Sequence, residues 1–542
     1  MPYMNNLNPA TPPASGLGVY SGSWTEQELV HLLKRTMFGV KNTDLLYFKN
    51  KTLSETVDEL LNPVLPIPDP PVKEYTTGNA AVPDTQVAAG TTWVNDPSTD
   101  GTIASLRRAS FKKWWMGVMI NQDRSIREKM TLFWHNHFST ESNDVGNAQY
   151  VYKHHHLLRT NALGNFKALT KAVTTDPAML VYLNGQLNTK TAADENYGRE
   201  LQELFCCGKG PDSLYTEADV KAAAKVLTGW RNNAAAISSY FDANRHDTTN
   251  KSFSAFYNNT LIQGRSGATA GDLELDDLLN MIFSIDEVAK YICRRLYRWF
   301  VYYDIDAAVE ANVIEPMANL LRAAHYEIKP VLSVLLKSEH FYDTLSRGCQ
   351  IKSPVDLVAG MCREFNVAFQ PGTDYITNYG FCNYLVNWLA NMQQSIGDPP
   401  DVSGWKAYYQ EPQFYEIWIN SDTLPKRNQF TDSMIVNGYT FNGKKLQIDG
   451  AEFAKTLSDP GNPNQLIDDL TAAIYRINIS ATSKAQLKKD ILLSGQSNDQ
   501  YWTDAWNTFI TTPGNTSNTT SVKNKIRDLI KYLMNLAEYQ LA

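Results

Sequence analysis

The chain has 542 residues, 43% of them hydrophobic and 20% charged, the profile of a folded protein large enough for a substantial core. Its formal charge of −7 argues against nucleic acid or an anionic membrane as partner, since both need a basic face, and no run of about 18 apolar residues is present to span a bilayer. The six cysteines, Cys206, Cys207, Cys293, Cys349, Cys362 and Cys382, lack the short paired spacings of a zinc finger and read as packed free thiols.

Residues 1–22 are rich in Asn, Pro, Gly and Ser and read as a flexible or docking arm. They hold no basic region followed by an apolar run, so no signal peptide is visible. Leu29, Leu32 and Leu33 at helical spacing predict a helix over 23–38, with Lys34 and Arg35 late in the run, and a shorter one follows over 52–61. Residues 63–101 are dominated by Pro, Gly, Thr and Asp and form a long loop of a length often tied to function or movement. Helices are then predicted over 103–121, 124–138, 147–160, 164–173, 194–207, 216–229, 272–282, 284–302, 308–322, 329–338, 353–365 and 381–395. Asp194 and Thr216 mark two starts, and Gly208 and Gly210 punctuate one end.

After Pro399-Pro400 an aromatic, loop-like stretch runs from 401 to 424. Residues 435–448 alternate apolar and polar around Asn442-Gly443, a strong hairpin signal. Helices return over 450–457, 463–476, 482–493, 500–510 and 520–537, and no internal repeat is visible. The expected fold is mainly α: a large multi-helix globular domain with a small β-hairpin insertion and long loops. Its expected divisions are the arm (1–22), a main helical domain (23–430), and the hairpin with a C-terminal helical segment packed on it (431–542).

Four segments could carry chemistry. In residues 133–138, FWHNHF, a helix puts Met130, Phe133, Trp134 and His137 on one arc and leaves His135 outside it. Neutral imidazoles ligate zinc, iron or copper, so His135 and His137 are candidate ligands; the alternative is one buried and one surface histidine. In residues 194–205, Glu195, Arg199 and Glu203 stand at i, i+4 and i+8, as an ion-pair ladder would, while Glu200 borders the stripe of Tyr197, Leu201, Leu204 and Phe205. A partly buried glutamate there needs an arginine, a histidine or a metal. Gly198 inside the helix costs about 1 kcal/mol against alanine, which a close approach by another backbone or a ligand would explain. His246-Asp247 can pair a ligand with its orienting carboxylate, or form a general base, or simply cap a turn. Trp405, Tyr408, Tyr409 and Trp418 can stack on sugar rings or pin their loop into the core. His154-His155-His156 diverge by about 100° per residue on a helix and read as structural. No phosphate-cradling glycine loop, GxSxG elbow or HExxH is present.

Several segments together resemble the bacterial family catalogued as domain of unknown function 1800. They include HLLKRTMFG (31–39), FWHNHF (133–138), ENYGRELQELF (195–205) and YTEADVKAAAKVLTGWR (215–231), then RHD with its following lysine (245–251). IKPVLSVLLKSEHFYD (328–343), IKSPVDLVAG (351–360), DPPDVSGWKAYYQEP through WINSDTL (398–424) and the closing NLAEYQLA complete the resemblance, which spans nearly the whole chain. It implies a helical fold with no established reaction, and motif positions at His135, His137, Glu195, Arg199, Glu200, Glu203, His246 and Asp247. Many such proteins are exported and encoded beside a phosphatase- or sulfatase-like family, domain of unknown function 1501. That implies a periplasmic or cell-surface setting and a protein partner, against which the missing leader leaves a cytoplasmic location open.

Two functions follow as expectations. The first is a metal-dependent hydrolase acting on an extracytoplasmic, glycan-like substrate. A divalent or transition metal ion would be held by His135, His137, His246 and Glu200. Glu200, Glu203 or Asp247 would serve as base or ligand partner, Arg199 would orient substrate, and Trp405, Tyr408, Tyr409 and Trp418 would form a wall. The second is a non-catalytic helical scaffold or escort for the co-encoded phosphatase- or sulfatase-like protein.

Overall fold

The computed structural model describes residues 14–76, 83–406 and 414–542. Within them the chain is mainly α-helical, with three two-stranded antiparallel sheets. Capping fixes many helix starts. Thr25 and Glu28 close a reciprocal box at the head of Glu26–Thr36, and Thr216 and Asp219 do the same for Glu217–Val226. Asp100 accepts from the amides of Thr102 and Ile103 at the start of the long Gly101–Ile120 helix.

Gly101–Ile120 packs against Tyr375–Asn391, Pro354–Glu364 and Ala148–Thr160, and Ala148–Thr160 packs in turn on Arg127–His137. The surrounding core continues through Asp286–Phe300, Glu315–Ala323 and Ile328–Leu336. At the C-terminal end Thr516–Asn535 lies on Gly450–Ala454, Thr423–Asp432 and Gln500–Thr511. The chain's last residues return to the middle of the sequence: Lys352 N donates to Gln540 O and Ala542 N to Gln350 O, both at 2.8 Å.

Several predicted elements divide. The 308–322 helix is a short α turn, a π turn over Glu310–Ile314, then Glu315–Ala323. Pro316 has no amide hydrogen to continue the ordinary ladder, which accounts for the break. The 194–207 helix is α over Asn196–Glu200 and π over Leu201–Cys206. The hairpin around Asn442-Gly443 joins Tyr439–Phe441 to Lys444–Leu446, with φ of 48° and 69° at the two turn residues. Two further sheets, Trp230–Asn233 with Ser238–Phe241 and Lys251–Ser252 with Leu261–Ile262, have strands too short to print an alternating pattern in the sequence.

The loops are tied down by polar contacts. Tyr20 N donates to Lys337 O at 2.8 Å, and Glu339 N to Gly18 O at 2.7 Å, fixing residues 16–20 along the 337–340 segment. Arg107, fully buried on the Gly101–Ile120 helix, donates to both carboxylate oxygens of Asp84 at 3.1 Å and so holds the 83–100 stretch. All six cysteines are free thiols, and no described helix is long and apolar enough to cross a membrane.

Candidate functional site

The FWHNHF segment stays helical through His137, so its two imidazoles point in different directions. His137 Nε2 donates to the carbonyl of Phe205 at 3.0 Å, and the ring is surrounded by Phe133, Trp134, Phe138 and Phe166. Burial holds its pKa well below the usual histidine range. His135 is also buried, because the helix is covered on every side rather than on one face. Trp115 meets it edge-on at 5.1 Å and Trp405 lies 5.7 Å away; neither ring nitrogen has a hydrogen-bond partner. Burial, with help from the charges of His154 and Lys112, pushes its pKa down to about 3, so it is neutral. Of the neighbouring run, His154 is bound between Asp176 Oδ1 at 3.0 Å and Phe138 O at 3.1 Å, and His155 Nδ1 accepts from Arg159 at 3.2 Å.

The ENYGRELQELF segment lies against Glu217–Val226. A Cβ on Gly198 would meet Ala224 N at 3.1 Å and Val220 O at 3.2 Å, so the glycine serves a close backbone approach. Arg199 faces outward and grips both carboxylate oxygens of Glu217 at 2.7 Å, with Glu195 at 3.5 Å. It is therefore committed to an ion pair between helices. Glu203 pairs with Lys209 and accepts from the Tyr215 hydroxyl at 3.3 Å. Glu200 differs from both: it is half-buried, and its Oε2 is enclosed without a hydrogen-bond partner. Burial, reinforced by the negative charges of Glu203 and Asp401 against the pull of Lys209 and Arg199, raises its pKa to about 7.

The His246-Asp247 segment is sealed into the structure. His246 Nδ1 lies 3.0 Å from Thr228 O, and Nε2 lies 3.1 Å from Glu274 Oε1. Glu274 is shared with Lys251 at 2.6 Å, and all three side chains are buried. Asp247 caps its own turn by accepting from the Thr249 amide at 2.8 Å.

Of the aromatic residues, Trp405 and Trp418 are core residues, 3% and 4% exposed, and offer no flat face to solvent. Tyr408 and Tyr409 lie outside the described residues. Trp405 N donates to Asn136 Oδ1 at 2.8 Å, and Gly404, at φ +89°, leaves no room for a Cβ against Asn136. The 398–405 loop is thereby fixed to the end of the FWHNHF helix.

That loop carries the carboxylates that sequence patterning did not single out. Asp398 pairs with Lys112 and accepts from Ser142 N at 3.0 Å. Asp401 accepts from Ser403 N at 2.9 Å and adds its charge to Glu200. Tyr182, at the end of Pro177–Tyr182, has its pKa pushed up to about 12 by burial and then by Glu141, Asp144, Asp401 and Glu200. Glu141 is raised as well, by burial and by the charges of Asp144 and Asp398. These carboxyls all act on Tyr182 by their charge, the half-buried Glu200 among them. The DPPD spacing was the available signal, but the effect of Asp401 on Glu200 comes from a distant part of the chain.

A metal fits poorly here. Among the described residues no group of three or more His, Cys, Asp or Glu side chains is arranged to hold an ion, and His135, His137, His246 and Glu200 sit in separate surroundings.

A family model described as a protein of unknown function, DUF1800, matches residues 31–541. No curated protein and no solved structure gives a significant match.

Proposed function

Because the chain belongs to the DUF1800 family, whose function is unknown, its chemistry has to come from its own side chains, and we propose a hydrolase built on the carboxyl group around Glu200. The observation that carries this is a half-buried glutamate with one oxygen unpartnered and a pKa near 7. Such a group is partly protonated at neutral pH and can donate to a leaving oxygen, then recover the proton from water. Asp401, on the 398–405 loop, adds its charge to Glu200 and suits the complementary role of base or stabiliser of developing positive charge. The excess of carboxylates repels anionic substrates and favours a neutral, hydroxyl-rich one such as a glycan. No step here is routed through a metal.

The test is a panel of neutral aryl glycosides and oligosaccharides with the wild type and Glu200→Gln. Hydrolysis is expected to fall on the alkaline side of about pH 7, and the variant to lose about 100-fold or more in kcat, the usual range for a general acid. Full activity in Glu200→Gln sinks the proposal.

One observation favours a second reading, a non-catalytic escort of a phosphatase- or sulfatase-like protein. Motif residues such as His246, Lys251 and Arg199 are committed to structural pairs. Failure of any such protein to co-purify with the chain removes it.

A further inference from the structure

We propose that the chain carries a second site, for a small oxyanion, in the cavity between the Glu26–Thr36 helix, the Pro354–Glu364 helix and residues 540–542, with Lys352 and Arg35 as its recognising cations. The cavity measures about 40 Å³ and is lined by Lys34, Arg35, Lys129, Lys352, Asp356 and Glu364, among others. Each water needs roughly 10–15 Å³ on this measure, so the space suits about three waters or one compact ion.

The charges in it do not balance. Lys34 pairs with Glu364 at 2.7 Å, and Lys129 pairs with Asp356. Lys352 has no carboxylate left to it, and Arg35 none from a side chain. Arg35 donates to Ser346 O at 2.8 Å, to Ala542 O at 3.1 Å and to the side-chain oxygen of Gln350, and its Nε has no partner. Lys352 is 5% exposed, and its Nζ makes no hydrogen bond or ion pair among the described residues; it rests 4.0 Å from the centre of the Tyr539 ring. Four lysines and arginines thus face two carboxylates, and counting a terminal carboxylate at Ala542 still leaves an excess of positive charge.

Two arginines act on Lys352 as well, the fully buried Arg427 and the half-buried Arg476, and deepen that excess. Burial pushes each down to about 10. Burial and the charges of these arginines push Lys352 down to about 8, against the pull of Glu364 and Asp356, so it remains a cation at neutral pH. An isolated buried cation is expensive, and a phosphate, sulfate or carboxylate group would supply the missing countercharge through charge-assisted hydrogen bonds. The HLLKRTMFG, IKSPVDLVAG and NLAEYQLA segments, none of which the Glu200 chemistry uses, all meet at this cavity.

The experiment titrates the full chain with sodium phosphate, sulfate and acetate at matched ionic strength, with chloride as baseline, following melting temperature and heat of binding. A saturable response is expected, weakened about tenfold or more in Lys352→Met and unchanged in Lys523→Gln, an exposed lysine elsewhere. Response to phosphate and sulfate identifies a tetrahedral oxyanion, and response to acetate alone a carboxylate; either supports the site. Should Lys352→Met fail to fold, Arg35→Gln tests the same cavity. No saturable response in the wild type, or equal binding by the cavity variants, overturns the proposal. Glu200→Gln is expected to bind normally, so this site and the hydrolytic one fail independently.

Discussion

Replacing Glu200 with glutamine tests the electrostatics of the cluster without needing a substrate. In the folded chain its carboxyl holds a proton up to about pH 7, against an ordinary value of 4.5. Between those two values the folded state binds more protons than the unfolded one, so stability falls as pH rises through that window. At about 1.4 kcal/mol for each tenfold change in proton affinity, the displacement sets a ceiling of about 3 kcal/mol. The side chain is partly open to water, and screening reduces the expected effect to about 1 kcal/mol. Glutamine keeps the shape and removes the ionisation. Urea unfolding is expected to give Glu200→Gln and wild type similar midpoints at pH 4, where both side chains are neutral. At pH 8 the variant should be the more stable by about 1 kcal/mol. A gap that does not change with pH, or a variant weaker than wild type at pH 8, refutes the reasoning.

Other substitutions separate structural roles from the proposed chemical one. Gly198→Ala puts a Cβ within 3.2 Å of two backbone atoms of the neighbouring helix and is expected to lower stability by about 1–3 kcal/mol in thermal unfolding, the range for overpacking. Lys251→Met leaves Glu274 buried with only His246 and the Arg265 amide beside it; a loss of about 3–5 kcal/mol is expected, as for other broken buried pairs, and urea midpoints measure it. Arg199→Ala removes a largely exposed pair with Glu217 and should change stability by less than about 1 kcal/mol in the same assay. A larger loss of hydrolysis than of stability in Arg199→Ala would return that residue to the catalytic group.

Local features were legible where a single residue type forces a conformation. Asn442-Gly443 announced its hairpin, Thr216 its helix start, and Gly198 its tight approach. The burial of His135 was not legible, because an arc drawn on one helix assumes one wet face, and this helix is enclosed by Gly101–Ile120, Ala148–Thr160 and the 398–405 loop. The partners of Glu200 were hidden for a different reason. Asp401 and Tyr182 are linked to it by charge from distant parts of the chain, and no local period encodes such a pairing. The Lys251–Glu274–His246 group was half visible: its histidine and lysine stand in one polar loop, while its glutamate arrives from a helix.

The return of residues 540–542 to Arg35 and to residues 350–352 bears on how the protein is made. A ribosome adding about 5–20 residues each second needs roughly half a minute to two minutes between the Glu26–Thr36 helix and its last contacts. For that interval Lys34, Arg35 and their apolar neighbours wait uncovered, and the nascent chain must be kept from sticking to others until the closing segment emerges.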